Sequence, residues 1–405
     1  MLALLPTSQL PPAQLIALVE RQALDTQPLP PQPIFGQIDG AAWQHVPGIA
    51  RFWEPQEHGA LARCVEDALT GLHGSGAAPL LLLHALNGEL HMYFGAQPEC
   101  SRTLESVLRG VFPGITLAPA PQRLGSALRD QRMFAHSGQL TGVPTLKVVP
   151  SESRSNGGAG AAATHAPVQQ IERLIRGMGR ASWGFYVRAL PVAAADVTRW
   201  SAQALELLKP YDEQAHMSRQ LRDGLSVQGD RQAQQCVTLL ERQIERLERG
   251  KAQGMWRVES SFFAPDAATL AQLASLLRAI FSGMESRPEP LRTRAHTPAA
   301  PPVPLDHIQT ILHTGELATL MQFPGEEAPG YHVRDYARFD LALPSAATGD
   351  AESIAIGAVL DGDLPTGQTF GVARDDFAKH GLIVGVTGSG KTNTCFGLLE
   401  RIWEG

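Results

Sequence analysis

The sequence predicts a mixed fold, α/β with α+β parts. It has two related N-terminal strand–helix modules, a helical hairpin in the second, a short β region, and a closing strand–turn–helix unit. Three observations carry this. Leu104–Gly114 and Leu273–Gly283 match at six of eleven positions without a gap, and Phe94 lines up with Phe263 just upstream. Ala233, Val237, Leu240, Ile244 and Leu247 alternate four and three apart, the stripe of a packed helix. Near the end, Leu382-Ile383-Val384 is an apolar run followed by a glycine-rich turn and a helix-forming stretch.

The elements follow in chain order. Residues 1–150 form the first α/β module. Its start is proline-rich, with a short helix expected over Gln14 to Leu24 and then an extended tether. Leu80 to Leu86 and Leu90 to Phe94 flank Asn87-Gly88, the strongest short hairpin signal. A helix is expected over Ser101 to Val111, stopped by Phe112-Pro113-Gly114, and further strands over Leu140 to Val149. Residues 151–166, with Asn156-Gly157-Gly158, read as a flexible linker.

Residues 167–286 form the second module: a helix (Val168 to Met178), a strand (Trp183 to Leu190) and two long helices. The second long helix starts after Asp230, a plausible N-cap, and ends at Gly250. It is either a coiled-coil arm or half of a hairpin packed on the preceding helix, and the hairpin is the expectation. Its outer face, Glu241, Arg242, Glu245, Arg246, Glu248 and Arg249, is balanced in sign and reads as solvated. The repeat makes each module a strand feeding a helix, so the two are related α/β sandwiches or two halves of one ferredoxin-like layer, in either case a scaffold rather than a catalytic signature. Residues 287–350 are a proline-rich connector with a helix over Leu305 to Gln322. Residues 351–405 hold short strands, around Ile354 to Leu360 and Thr369 to Val372, and then the closing unit.

The chain has 405 residues and 43% hydrophobic content, enough for a substantial core. Its net charge of −6 argues against a nucleic-acid-coating surface. The four cysteines, Cys64, Cys100, Cys236 and Cys395, are scattered and read as reduced core residues of a cytoplasmic protein. No targeting segment is evident and the most apolar run, Leu80 to Leu83, is far too short to span a bilayer, so direct membrane insertion is not expected. The thirteen histidines show no metal-ligand spacing with the cysteines, His307 and His313 do not share a helix face, and Ser260-Ser261 lacks a nucleophile-elbow context.

Chemistry concentrates in Gly385-Val386-Thr387-Gly388-Ser389-Gly390-Lys391-Thr392, the G-x-x-x-x-G-K-[ST] pattern of a phosphate-cradling loop. Glycines let backbone N–H groups close on a polyphosphate, and the N-terminus of the following helix (Thr392 to Trp403) adds partial positive charge. ATP is the expected ligand, contacted by residues 385–392 and Asn393. Lys391 reaches the β- and γ-phosphates, and Thr392 offers its hydroxyl to Mg²⁺. Few residues follow Thr392 and no acidic Walker B strand is among them. The expectation is therefore the N-terminal portion of a longer ATPase, with the first βα unit of a RecA-like domain, inactive by itself.

The segment His380-Gly-Leu-Ile-Val-Gly385-Val-Thr-Gly-Ser-Gly-Lys-Thr392 resembles the HerA/FtsK superfamily of hexameric motor ATPases. That group includes HerA-like helicases and conjugative type IV secretion ATPases. The preceding Ile356-Gly357-Ala358-Val359 and Asp361-Gly362 are similar to the short β region such proteins carry before the motor, and the match covers about residues 351–405. The resemblance implies ATP hydrolysis by a six-membered homo-oligomeric ring that translocates DNA, as a helicase, in conjugation-like transfer or in defence against foreign DNA. A nuclease or effector protein is a possible partner. DNA would be held by the motor portion and not by residues 1–300. Secretion or pilus traffic ATPases, which share T-G-S-G-K-[ST], are a close rival. A scaffold that docks partner proteins onto an ATPase ring is a different class of reading. His380 is expected to cap the strand or to hydrogen-bond locally beside the nucleotide, rather than to act in catalysis.

Overall fold

The computed structural model describes Pro11 and residues 34–53, 59–146, 169–220, 231–286, 289–295, 310–335, 353–361, 364–379, 381–386 and 388–404. The expected helix over Gln14 to Leu24, the 151–166 linker, Asp230, Thr387 and His380 lie outside them. The chain divides into two compact units, Met1–Arg334 and Asp335–Gly405.

The first unit is built on a ten-stranded sheet. Its elements run α1 (Ile34–Asp39), β1 (Ala42–Arg51), α2 (Ala60–Gly74), β2 (Leu80–Leu86), β3 (Glu89–Ala96), α3 (Ser101–Val111), β4 (Thr116–Pro119), α4 (Leu124–Asp130) and β5 (His136–Thr141). Then come α5 (Gln170–Met178), β6 (Trp183–Pro191), α6 (Ala194–Gln220), α7 (Arg231–Gln253), β7 (Met255–Ala264), α8 (Ala267–Phe281), β8 (Arg292–Ala295), β9 (Thr310–His313), α9 (Thr314–Leu320) and β10 (His332–Asp335). Strand order is β10-β1-β3-β2-β6-β7-β5-β8, with β4 on β1 and β9 on β7. The ladders β1–β3, β3–β2, β2–β6, β6–β7, β7–β5 and β5–β8 are all antiparallel.

The fold class is therefore mixed α/β with a mostly antiparallel sheet. Strands from residues 1–150 and from residues 167–286 share that sheet, so the two expected modules are halves of one body. They meet at the β2–β6 ladder, where Leu82 faces Tyr186 and His84 faces Gly184. On either side the order repeats in mirror: a helix, a central strand, its antiparallel neighbour, then a second helix. α2 packs on α3, and α5 packs on α8.

The repeat falls where the halves correspond. Leu104, Leu108 and Phe112 of the first copy and Leu273, Leu277 and Phe281 of the second are all buried in the same large core. The upstream alignment needs correction. Phe94 lies in that core, but Phe263 packs into the cluster on the opposite face, and Phe262 takes the matching place. Side chains alternate faces along a strand, so one extra residue between strand and helix inverts the comparison. The short 3₁₀ turn Pro98–Cys100 before α3 has no counterpart before α8.

Local chemistry explains most boundaries. Asn87 and Gly88 adopt φ of 53° and 86°, the left-handed pair that a two-residue hairpin turn requires. Asp266 caps α8 by accepting from the Thr269 N–H at 2.9 Å. The packed hairpin of α6 and α7 holds: Ala233, Leu240 and Leu247 are buried, and the last two share a cluster with Trp200, Leu207 and Tyr211. α7 runs past Gly250 to Gln253, and Gly254 (φ 115°) ends it.

Three expectations are overturned. Where the helix expected over Leu305 to Gln322 is described, from Thr310 on, it is instead strand β9 followed by α9. His313 caps α9, its Nδ1 accepting from the Gly315 N–H at 3.1 Å, while Glu316 accepts from the His313 N–H at 3.0 Å. Pairing with β7 overrides the helical reading of Thr310–His313, since that strand buries every side chain. Phe323, just beyond α9, stacks on Phe94 at 5.2 Å and packs tilted against Phe112 at 4.6 Å, so residues beyond 300 complete the core.

Second, Arg246 does not lie on a solvated face. It is buried, with Nε on Glu316 at 2.6 Å, Nη1 on Gln243 at 2.9 Å and Nη2 on the Ile311 carbonyl at 2.8 Å. Third, the cysteines are not uniformly core residues: all four are free thiols, Cys236 is buried and Cys395 is exposed.

Close backbone approach marks the second half of the sheet. A Cβ on Gly184 would stand 2.1 Å from the Phe263 ring. Gly184→Ala should therefore destabilise the protein by about 1–3 kcal/mol, the usual range for overpacking a filled core. A urea titration unchanged by the substitution would contradict this packing.

The second unit contains the ribbon of β11 (Ser353–Asp361) and β12 (Leu364–Ala373), a 3₁₀ turn and α10 (Lys391–Glu404). The ribbon is antiparallel, with register shifts between Ala355 and Gly357 and between Ala358 and Leu360.

Candidate functional site

The glycine-rich segment lies in the second unit, in front of α10. Gly388 and Gly390 both have φ of 83°, a region closed to most side chains, and this turns the backbone sharply twice within three residues. The Ser389 N–H donates to the Val386 carbonyl at 3.2 Å, closing the turn. A Cβ on Gly385 would meet the Ser389 hydroxyl oxygen at 2.4 Å, so the loop is tight there as well.

Lys391, the first residue of α10, folds back over this loop. Its Nζ donates to the carbonyls of Gly385 at 2.8 Å and Val386 at 2.7 Å. The helix is secured one residue before: Gly390 carbonyl accepts from the Thr394 N–H at 2.9 Å and from the Thr394 hydroxyl at 3.2 Å. The first N–H groups of a helix have no intrahelical acceptor, so the amides around Lys391, Thr392 and Asn393 are free to bind an anion. Thr392 and Asn393 are exposed. Residues 385–393 contain one cation and no carboxylate. That donor set suits a polyphosphate.

The far end of α10 is tied to the ribbon. Arg401 Nη1 donates to the carbonyls of Ala355 at 2.6 Å and Ile356 at 3.1 Å, where the ladder is irregular and leaves acceptors unpaired. Arg374 Nη2 donates to the Ile402 carbonyl at 2.8 Å, placing a cation at the negative end of the helix. Neither arginine was singled out from the sequence. Their signal was weak, because a lone arginine in a polar stretch has no period or spacing.

The expected strand Leu382-Ile383-Val384 does not form: residues 381–386 belong to no helix or strand, with Leu382 86% and Val384 77% exposed. Among the described residues it has no neighbouring strand, and a strand without a ladder is not stable. The RecA-like arrangement around the loop therefore stays an expectation. Among the described residues no group of three His, Cys, Asp or Glu is placed to hold a metal, and a Mg²⁺ ion at the loop would find one protein oxygen in the Thr392 hydroxyl.

The site defines a class: a glycine-turned loop closed onto a lysine at a helix N-terminus. No protein-family model matches the chain, and no curated protein matches it significantly. Among the described residues no helix is long and apolar enough to cross a membrane.

Proposed function

We propose that the loop at residues 385–393 binds the polyphosphate of ATP, and that this chain is part of a HerA/FtsK-type motor ATPase. The observation that carries the reading is the Lys391 ammonium drawn over the loop by two carbonyls while Gly388 and Gly390 turn the backbone. When bound, Mg²⁺ neutralises phosphate charge. Lys391 would leave its carbonyls for the β- and γ-phosphates, the amides at the start of α10 would orient them, and Thr392 would hold the ion. The resemblance extends the proposal to a hexameric ring that translocates DNA. A second reading, a scaffold that docks partner proteins, draws support from the size of the first unit, which carries nearly all of the buried core.

The test is equilibrium titration of the 405-residue chain with a fluorescent ATP analogue, with and without Mg²⁺. Saturable binding competed by ATP is expected. Binding that ATP cannot displace overturns the assignment.

A further prediction concerns DNA. The first unit closes at Arg334, because β9, α9 and Phe323 belong to its core, so the fragment to test is 1–334 rather than 1–300. It should bind duplex DNA weakly or not at all at ~150 mM salt, where exposed charges are well screened. On α7, Arg249 pairs with Glu245 at 2.7 Å and Lys251 with Glu248 at 2.6 Å, so neighbouring acids offset the attraction of these cations for phosphate. Submicromolar binding in a gel shift would move the DNA contact into this unit.

A further inference from the structure

Three histidines stand together on one face of the sheet in the first unit. His45 lies on β1, His84 on β2 and His91 on β3. His84 and His91 are directly opposed across their ladder, and His45 opposes Tyr93. The ring centroids of His84 and His91 are 5.0 Å apart, those of His45 and His91 6.0 Å, and His84 stacks on Tyr93 at 5.7 Å with an 11° tilt. Gly184 faces His84 from β6, and the Phe263 ring fills the space above that glycine.

His84 is 4% exposed, and neither of its ring nitrogens has a hydrogen-bond partner; Nε2 of His45 is also buried and unpartnered. Leaving a buried polar atom unsatisfied costs about 1–3 kcal/mol, a cost that leucine or phenylalanine at the same place would avoid. What imidazole adds to a ring stack is the capacity to take a proton.

We propose that His45, His84 and His91 form a proton-sensitive latch that holds the β1–β3–β2 part of the sheet closed near neutral pH and releases it in mild acid. A proton on His84 would place a charge in a buried site without a counter-ion, with the His91 ring 5.0 Å away. Like charges directly opposed across a ladder destabilise it.

The other groups facing this side of the sheet do not supply the missing counter-charge. β3 contributes Tyr93 and, two residues beyond His91, the exposed Glu89. β6 contributes Tyr186 and Arg188, and β7 contributes Glu259, all further along the ladders. From the covering helices come Asp39 of α1, engaged by the Gly125 and Ser126 N–H groups, and the exposed Arg129 and Asp130 of α4. Charges felt by His84 are those of His91 and His45. Burial first, and then these neighbours, push His84 down to about 3, and burial and His91 lower His45.

The sign follows from proton counts. The unfolded chain takes up protons at His84 and His45 below pH ~6.5, whereas the folded chain resists them, so stability falls as pH drops below ~6.5 and keeps falling toward the lowered folded value of His84. Each excluded proton raises the unfolding equilibrium constant by up to about tenfold per pH unit.

The experiment is urea unfolding of the 405-residue chain at pH 7.5, 6.5 and 5.5, beside His84→Phe, which keeps a ring on Tyr93 but removes the proton site. The variant should lose less stability between pH 6.5 and 5.5, by up to about tenfold in the unfolding constant. Equal pH slopes overturn the proposal. Should His84→Phe fail to fold, the wild-type chain decides. Histidine ring resonances should include at least one that stays neutral down to the pH at which the sheet opens. Hydrogen exchange, corrected for intrinsic rate, should lose protection first over residues 42–51 and 89–96 at pH 5.5. Ordinary titration of every histidine between pH 6 and 7, or loss of protection spread evenly over the sheet, rules the latch out.

Discussion

If the loop binds ATP as proposed, Lys391→Ala should weaken that binding by about tenfold to a hundredfold and remove any ATP turnover. Hydrogen bonds to a charged group contribute about 1.5–3 kcal/mol, which converts to that range. The lysine also serves the empty loop, since its Nζ ties together the carbonyls of Gly385 and Val386. Alanine would remove both the charge and the tie. The fold of the first unit should be unaffected, because the site lies wholly in the second unit, and a circular dichroism melt of the variant would check this. Unchanged affinity or unchanged hydrolysis in the purified variant would end the nucleotide-loop reading. Weakened binding without Mg²⁺ dependence would keep the phosphate loop but deny Thr392 its role.

Arg246→Ala should destabilise the first unit by about 3–5 kcal/mol, the usual cost of removing one partner from a buried ion pair. The pair is enclosed: the Arg246 and Glu316 side chains are 9% and 10% exposed. Burial by itself would push the Glu316 carboxyl up, but the adjacent guanidinium overrides it and holds the group below the ordinary range. Glu289 lies 3.9 Å from the same guanidinium and has a buried oxygen with no hydrogen-bond partner. Alanine would leave two buried acids without a cation. The melting temperature should fall by roughly 10 °C, given how stability converts to melting shift in domains of this size. Arg246→Met with Glu316→Gln should recover much of the loss, because the acid left at Glu316 is then neutral. A single variant melting within about 1 °C of wild type would show that the network carries little.

Arg246 illustrates where sequence reading stops. Its neighbours Glu245 and Arg249 do form an exposed pair on α7, as charge alternation suggests. One position on, the same alternation conceals a buried cation, because the partners that enclose it come from β9, α9 and the segment before β8. No local pattern reports that. Phe323 is a similar case, since the apolar slot between Phe94 and Phe112 exists only once β3 and α3 are assembled. Thr310–His313 failed for the complementary reason: its four residues are too few to show a period, and ladder pairing decided their state.

The sequence by itself determined what depends on near neighbours in the chain. It marked the Asn87-Gly88 hairpin, the α7 stripe, the repeated helix with its buried leucines and phenylalanines, and the glycines and lysine of the 385–392 loop. Turn dihedrals, helix periodicity and the steric freedom of glycine are properties of a few consecutive residues. The tertiary structure alone decided that both halves share one antiparallel sheet joined at β2–β6, that Phe262 rather than Phe263 matches Phe94, that Arg246 is buried, and that three histidines from three strands meet face to face. The shared sheet and the histidine cluster depend on pairing between distant segments, where a shift of one residue turns every side chain to the other face, and Arg246 is buried by partners from β9, α9 and the segment before β8.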